Sequence, residues 1–598
     1  MKTVCSALIF LTLFLPLAQA QSSTGKGAAA TPQPKVAPSF PALVEEFIAA
    51  FFRANPTPAT VAGIHEHDGR IEDFSPAGMQ AQVQELRSFE RRFEQAATST
   101  SLEAADRELA LRFIRASLLR LEGVRMWQTN ADDYSSLASN TIFVLMSREF
   151  APPEERIRSV TARLGRIPRL LAQARANLRN PPRIHTETAL LQLPGIVSFF
   201  ENDVPAAFAD VKDPRLTSAF RLANRLAIAA LRAYEQFLRN DLLPRSNGDF
   251  RLGAELFRKK LLYEEMVETP LDQLLAIAYA DLRRNQAAFT QTARQIDPAR
   301  TPQEVLDAIE LEHPAPGQLL DAVRKTLGSL REFVVQRAII SLPSDRKLRV
   351  EETPAFMRAT SSASLDAPGA FEQHVNEAFY HLALPDPKAS PEQVESHMRS
   401  FNYVGLVGTS IHEAYPGHFT QYLWQDQAPS KLRLFLATDF STLGFGFAWT
   451  NVEGWAHYTE QMMLDEGYGR TGAEPDLSFL KLRLSQLQHA LLRNARFVVG
   501  IEMHTGKMTY EQGIEFFRRE AYQPQVSAER ETRRGTSDPT YLVYTLGKLK
   551  ILELREEYSK ARGTRFSLRE FHDRFMQQGS VPIPVIRRAL LGETSAPN

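Results

Sequence analysis

The chain has 598 residues, with 70 basic and 70 acidic side chains and a formal net charge of zero. It has no basic run and no interleaving of basic and aromatic residues, so nucleic acid is not an expected partner. The only cysteine is Cys5, which lies in a segment that we expect to be removed. The mature protein therefore has no disulfide, thiolate ligand or cysteine nucleophile, and any metal must be held by His, Asp or Glu.

The N-terminus has the pattern of a secretory signal peptide. Lys2 is followed by an apolar run over residues 4–17 and by Ala-Gln-Ala at residues 18–20, which predicts cleavage before Gln21 and export to a periplasm or out of the cell. A membrane anchor is the alternative, but the run is shorter than the ~20 residues that span a bilayer. Residues 21–38 are small, polar and proline-containing, which predicts a flexible linker.

From residue 39 onward the apolar residues mostly recur three and four positions apart, which predicts a mainly α protein. We expect two lobes, an N-terminal helical lobe over residues 39–390 and a C-terminal catalytic lobe over residues 391–598. Residues 339–353 instead have the pattern of a β-hairpin or a single edge strand, and such an edge could pair with an extended peptide. No later apolar stretch has membrane-spanning length, so stable membrane insertion is not expected after signal cleavage. The oligomeric state stays open.

The segment His412-Glu413-Ala-Tyr-Pro-Gly-His418 resembles a zinc-peptidase motif. In the familiar form, two His ligands stand four residues apart on one helical face, and a Glu follows the first. Here the second His is six residues on, which would turn it about 120° away on an unbroken helix. Pro416 and Gly417 are the additional residues, and they favour a bulge or kink that brings His418 back toward His412.

A downstream helix provides a third ligand. Glu453, His457 and Glu460 fall at spacings of four and three, which places them on one helical face. Glu453 completes a site of two His and one carboxylate for one zinc ion, with a position open for water. Glu460 or His457 could orient one of the ligand imidazoles by a hydrogen bond to its other ring nitrogen. Glu413 is the predicted general base. The alternative is an ordinary amphipathic helix with solvated acids.

Four ordered blocks then resemble the bacterial domain-of-unknown-function 885 family. They are HEAYPGH at 412–418, EGWAHYTE at 453–460, RFVVGIEMHTGKMTYEQG at 496–513 and ETRRGTSDPTYLVYTLGKLKI at 531–551. The family is similar to helical zinc metallopeptidases of the gluzincin type, which implies a deep cleft between two lobes. The resemblance also implies metal ligands at His412, His418 and Glu453 and the base at Glu413.

The same resemblance implies further site residues near the cleft. Tyr544 and His504 would be catalytic, because both can donate to a developing negative charge, and Arg534 and Tyr541 would bind substrate, since Arg clamps a carboxylate. Each of these also has an ordinary structural explanation. His457 stands where the family pattern has an apolar residue, which disfavours a ligand role for it.

The expected function is that of an exported zinc metallopeptidase acting on peptides or small proteins. One alternative keeps the metal and makes the protein an amidohydrolase or esterase on non-peptide bonds. Another is a non-catalytic exported binding protein with a vestigial site. Arg534 could bind a terminal carboxylate, but the sequence leaves endopeptidase and exopeptidase action open.

Overall fold

Helices dominate the structure, a computed structural model that describes residues 39–353, 362–472 and 475–592. The predicted signal peptide and linker lie outside the described residues. Fifteen α-helices precede the only strands in these ranges, and they run in chain order as follows: α1 (Phe40–Ala54), α2 (Pro56–Ala62), α3 (Pro76–Gln95), α4 (Ser101–Leu118), α5 (Met126–Thr129), α6 (Asp132–Met146), α7 (Pro153–Leu164), α8 (Ile167–Asn177), α9 (Arg183–Ser198), α10 (Val204–Ala206), α11 (Pro214–Phe237), α12 (Gly253–Glu265), α13 (Leu271–Ile296), α14 (Pro302–Glu310) and α15 (Leu319–Gln336).

The helices that follow the strands carry most of the predicted site. They are α16 (Pro391–Arg399), α17 (Tyr403–Glu413), α18 (His418–Trp424), α19 (Lys431–Leu436), α20 (Trp449–Asp465), α21 (Leu477–His504), α22 (Tyr510–Ala521), α23 (Gln525–Ser537), α24 (Val543–Arg562), α25 (Leu568–Met576) and α26 (Ile583–Leu591). The prediction of a mainly α protein with a small β element is confirmed. Among the described residues, no helix is both long and apolar enough to cross a membrane.

A three-stranded sheet separates the two runs of helices. Its strands are β1 (Lys347–Glu352), β2 (Ala363–Asp366) and β3 (Glu377–Leu382), in the order β1-β3-β2. β3 pairs in parallel with β1 and antiparallel with β2. A hairpin within residues 339–353 is therefore wrong, because β1 pairs with a strand about thirty residues later, and the edge-strand alternative is correct. Ile339 and Ile340 lie in an irregular segment and are buried in the core.

Aromatic packing joins helices from both predicted lobes. Phe47 of α1 and Phe113 of α4 pack against Phe435 of α19, with ring centroids 5.8 and 5.1 Å apart. These rings belong to one large hydrophobic cluster that also contains residues of α17 to α20 and α24 to α26. Contacts group residues 39–598 into one unit, and the lobe boundary near residue 390 stays a prediction.

Candidate metal centre

The chain is broken between the two histidines of the motif. α17 ends at Glu413 and α18 begins at His418, so the predicted kink is a complete interruption of the helix. A β-carbon on Gly417 would lie 1.8 Å from the carbonyl oxygen of His412, which only glycine avoids. The carbonyl of Pro416 accepts a hydrogen bond from the indole of Trp455 on α20 at 2.8 Å. The break is thus held against the helix that carries the third predicted ligand.

His412, His418 and Glu453 converge. The two imidazole centroids are 4.8 Å apart. Glu453 Oε2 lies 3.3 Å from His412 Nε2 and 3.5 Å from His418 Nε2, and it forms no hydrogen bond with any described residue although it is buried. One ligand atom from each side chain lies within 4.8 Å of the other two. The three residues could therefore hold one metal ion, as the sequence predicts.

A close crossing of α20 and α24 fixes the other oxygen of Glu453. β-Carbons added to Gly454 and Gly547 would lie 2.5 Å from Gly547 Cα and 2.7 Å from Gly454 Cα, respectively, so the two glycines let the backbones touch. The hydroxyl of Tyr544, one turn before Gly547, donates to Glu453 Oε1 at 3.0 Å. Tyr544 therefore lies beside the ligand cluster, as the family resemblance implies.

Glu460 holds the far side of the His412 ring. Its Oε1 lies 2.8 Å from His412 Nδ1 and 3.0 Å from Arg493 Nη2, while His457 Nδ1 is 3.4 Å from its Oε2. Burial raises the pKa of Glu460, but Arg493 and then His457 outweigh burial and hold that pKa well below its ordinary value. An ionised Glu460 accepts the Nδ1 proton of His412, so Nε2 is the ring nitrogen that faces Glu453 and is placed to bind a metal ion.

Charge at the cluster favours a cation. Burial alone would lower the pKa of His412, but the carboxylates of Glu453 and Glu460 raise it to about 9. Burial raises the pKa of Glu413, and the imidazoles of His412 and His418 offset this only in part. Glu413 also accepts a hydrogen bond from the backbone N–H of Leu365 on β2 at 3.1 Å, so the strand orients the predicted base.

Three guanidinium groups surround the ring of Tyr544. Those of Arg493, Arg496 and Arg534 lie 5.6, 4.9 and 6.0 Å from its centroid. Arg496 donates to both oxygens of Glu531 at 2.7 and 3.1 Å. Arg534 Nη2 lies 3.4 Å from the Tyr544 hydroxyl. Arg534 is thus near the cluster, in agreement with its predicted location.

His504 does not reach this cluster. It lies eleven residues beyond Arg493 on α21, about 16 Å along the helix axis. Its Nε2 donates to the carbonyl of Gly535 at 2.7 Å, and its Nδ1 accepts from the backbone N–H of Leu252 at 3.4 Å. Both ring nitrogens are therefore occupied by backbone groups, and the location fits a structural role instead of the predicted catalytic one.

Tyr541 is fully buried among neighbouring helices. The side chain has no exposed surface, and β-carbons added to Gly500 and Gly535 would contact its ring and hydroxyl. The predicted substrate-binding role does not fit a residue that a substrate cannot touch.

A cavity of about 700 Å³ opens beside the cluster. His418 and Glu453 form part of its wall, together with residues of α6, α9, β2 and α18. The N-terminal helices therefore complete the enclosure around a site whose predicted ligands all come from the C-terminal part of the chain.

Comparison with known proteins places the chain in a family. The family model described as "Bacterial protein of unknown function (DUF885)" matches residues 56–590. The chain belongs to the DUF885 family. No curated protein matches this DUF885 chain.

Two solved structures share the fold of this DUF885 chain. A Shewanella oneidensis protein, named as a lipoprotein of unknown function, is 29% identical, with a TM-score of 0.75 over 93% of this chain and 100% of the other. A Colwellia psychrerythraea protein, also named as a lipoprotein, is 18% identical, with a TM-score of 0.76 over 92% and 98% of the two chains. At that identity the second similarity shows the fold alone.

Two groups beyond those predicted from the sequence also reach the cluster of this DUF885 chain, Arg493 and the backbone N–H of Leu365. Arg493 had a detectable signal, because it and Arg496 interrupt the apolar segment HALLRNARFVVG, and a charged residue on a core-facing helix needs a buried partner. The backbone N–H of Leu365 had none, since any residue of a strand offers the same group.

Proposed function

We propose that this DUF885 chain is an exported zinc-dependent hydrolase that cleaves peptide bonds. The observation that carries the proposal is the spacing of the three predicted ligands. In a tetrahedral site with zinc bonds of about 2.1 Å, two ligand atoms lie roughly 3.4 Å apart, and Glu453 Oε2 lies 3.3 and 3.5 Å from the two imidazole Nε2 atoms. A buried carboxylate oxygen without a hydrogen bond in such a place fits a metal ligand.

The mechanism assigns a role to each side chain around the ion. When bound, zinc supplies a water of pKa about 7 and a Lewis acid for the scissile carbonyl. Glu413, oriented by the N–H of Leu365, takes a proton from the attacking water and delivers it to the leaving amine. Tyr544 is near enough to Glu453 to donate to the oxyanion that develops on the substrate. Glu460 fixes the ring of His412.

The gluzincin relationship is part of the proposal and rests on motif order. A His-Glu pair, a second His and a downstream Glu on a separate helix occur in that order in the chain. The Pro-Gly insertion distinguishes this version of the motif.

Export rests on the signal pattern of residues 1–20 and agrees with the lipoprotein names of the two structural relatives. A lipid anchor on this chain is not part of the proposal. Cys5 lies near the start of the apolar run of residues 4–17 instead of following the small residues at its end, which is where a lipoprotein signal would place its cysteine.

The test is hydrolysis of a quenched-fluorescence peptide library by the full chain, with and without chelator. We expect chelator to abolish cleavage and added zinc to restore it. Glu413→Gln should retain zinc and lose activity by roughly 100- to 10,000-fold. Glu466→Gln is the matched control, because Glu466 lies just beyond the end of α20 and pairs with Arg555, away from the ligands.

Two results would count against the proposal. Undiminished cleavage by Glu413→Gln would remove the predicted base. Cleavage of non-peptide amides or esters by the zinc-loaded protein, with no peptide cleaved, would favour the amidohydrolase alternative.

A further inference from the structure

Arg534 is more exposed to solvent than the other two arginines around Tyr544. Its side chain is 38% exposed, whereas those of Arg493 and Arg496 are 11% and 9% exposed and are each paired with a buried carboxylate. Arg534 Nε and Nη2 donate to Asp538 Oδ2, while Nη1 has no partner in the described part of the chain. The Nη1 group of this guanidinium is therefore available to a ligand.

Tyr544 lies between Arg534 and the ligand cluster. The tyrosine hydroxyl lies 3.4 Å from Arg534 Nη2 and 3.0 Å from Glu453 Oε1. Two hydrogen-bond lengths thus separate a half-exposed cation from a predicted metal ligand. A carboxylate one residue beyond a scissile carbonyl at the metal is within reach of such a cation, and Arg binds carboxylates through charge-assisted hydrogen bonds.

The cavity beside His418 and Glu453 is less suited to a carboxylate than the surroundings of Arg534. Its two buried cations are already neutralised, since Arg148 pairs with Asp366 and Arg433 Nε donates to Asp106 at 2.8 Å. Asp439 also lines the cavity but is exposed. A volume of about 700 Å³ matches pockets that enclose a drug-sized molecule. The cavity therefore suits a few uncharged residues of a peptide and not a terminal charge.

We propose that the substrates are short peptides with a free C-terminal carboxylate, which Arg534 binds, so that cleavage occurs at the carboxyl end. This inference rests on the proposed function. The residues on the N-terminal side of the scissile bond would occupy the cavity. Water adds across the peptide bond: its oxygen bonds to the carbonyl carbon, the C–N bond breaks, and Glu413 carries the proton to the new amine.

The test compares matched peptides that end in a free acid or in an amide. We expect kcat/KM of the full-length zinc-loaded protein to be about 10- to 100-fold higher for the acid, as for the loss of a charge-assisted contact. Arg534→Gln should remove this preference mainly by lowering kcat/KM for the acid. Arg534→Lys, which keeps the charge, should retain part of it. Arg533→Gln is the matched control, because it removes the neighbouring cation on α23 and should keep the full preference.

A binding measurement makes the inference independent of turnover. N-acetylphenylalanine and its amide are titrated calorimetrically into the wild type and each variant, whose folding is checked by circular dichroism. The inference requires tighter binding of the acid than of the amide in the wild type and loss of that difference in Arg534→Gln. Equal binding and cleavage of acid and amide, or a preference that survives Arg534→Gln, would overturn it. Failure to cleave any peptide would reject the proposed function, while the titration would still decide the carboxylate site.

Discussion

His412 and His504 are both buried imidazoles, but their ring nitrogens have different partners. His412 has one ring nitrogen on Glu460 and the other facing Glu453, so a metal ion can take the second. His504 has both nitrogens on backbone groups. Burial lowers the pKa of His504 from 6.5 to about 4. This imidazole is neutral in the folded protein at neutral pH and has no free lone pair for chemistry.

The first prediction at this scale is that His504 contributes to acid sensitivity and not to turnover. Because its folded pKa lies below its unfolded pKa, the unfolded chain binds the extra proton, and stability is lost as pH falls below 6.5. Between pH 7.5 and pH 5 this amounts to about 2 kcal/mol. Urea unfolding at both pH values should show a smaller loss for His504→Gln than for the wild type. At pH 7.5 the variant should keep its zinc and most of its activity.

An equal loss of stability in both proteins would contradict this account of His504. A hundredfold drop in activity, with zinc content unchanged, would restore the catalytic role that the family resemblance implies. Other buried imidazoles also titrate in this range, but they are present in both proteins and cancel in the comparison.

At the scale of elements, the break between α17 and α18 delivers His418 to the cluster. The sequence predicts a bend there, because proline lacks an amide hydrogen and glycine relaxes the backbone. It does not predict that the helix ends outright, since that depends on the contact of the Pro416 carbonyl with Trp455, a residue 39 positions later.

Gly417→Ala should therefore damage both stability and metal binding. The added methyl group would overlap the His412 carbonyl oxygen, so we expect a loss of about 3 kcal/mol or more in unfolding free energy and weaker zinc binding. Unfolding is measured with chelator present, so that metal does not contribute. Gly328→Ala on α15 is the control, because no heavy atom lies within 4 Å of its added β-carbon and alanine favours a helix by about 1 kcal/mol. A Gly417→Ala protein as stable as the wild type would contradict the close-approach argument.

At the scale of the whole molecule, local sequence patterns predict helices and strands better than they predict which of these elements contact each other. Apolar spacing is sufficient for the helical class, since each helix shows its buried face in its own sequence. The pairing of β1 with β3, with Lys347 opposite Glu377, is set by folding and not by either strand alone. The same limit applies to the site: spacing brings out the ligand candidates, but Arg493 meets Glu460 only in the folded chain. Tyr541 and Tyr544 are three residues apart, and only the fold shows that Tyr541 has no exposed surface whereas Tyr544 lies beside Glu453.

The most direct test is the zinc content of the purified full-length protein after dialysis against metal-free buffer, measured by mass spectrometry. We predict one zinc ion per chain in the wild type and in Glu413→Gln. The His412→Ala, His418→Ala double variant should hold less than about a tenth of that, because two of the three protein ligands are gone. An unchanged zinc content in the double variant would contradict the account, since the metal would then be held by other residues.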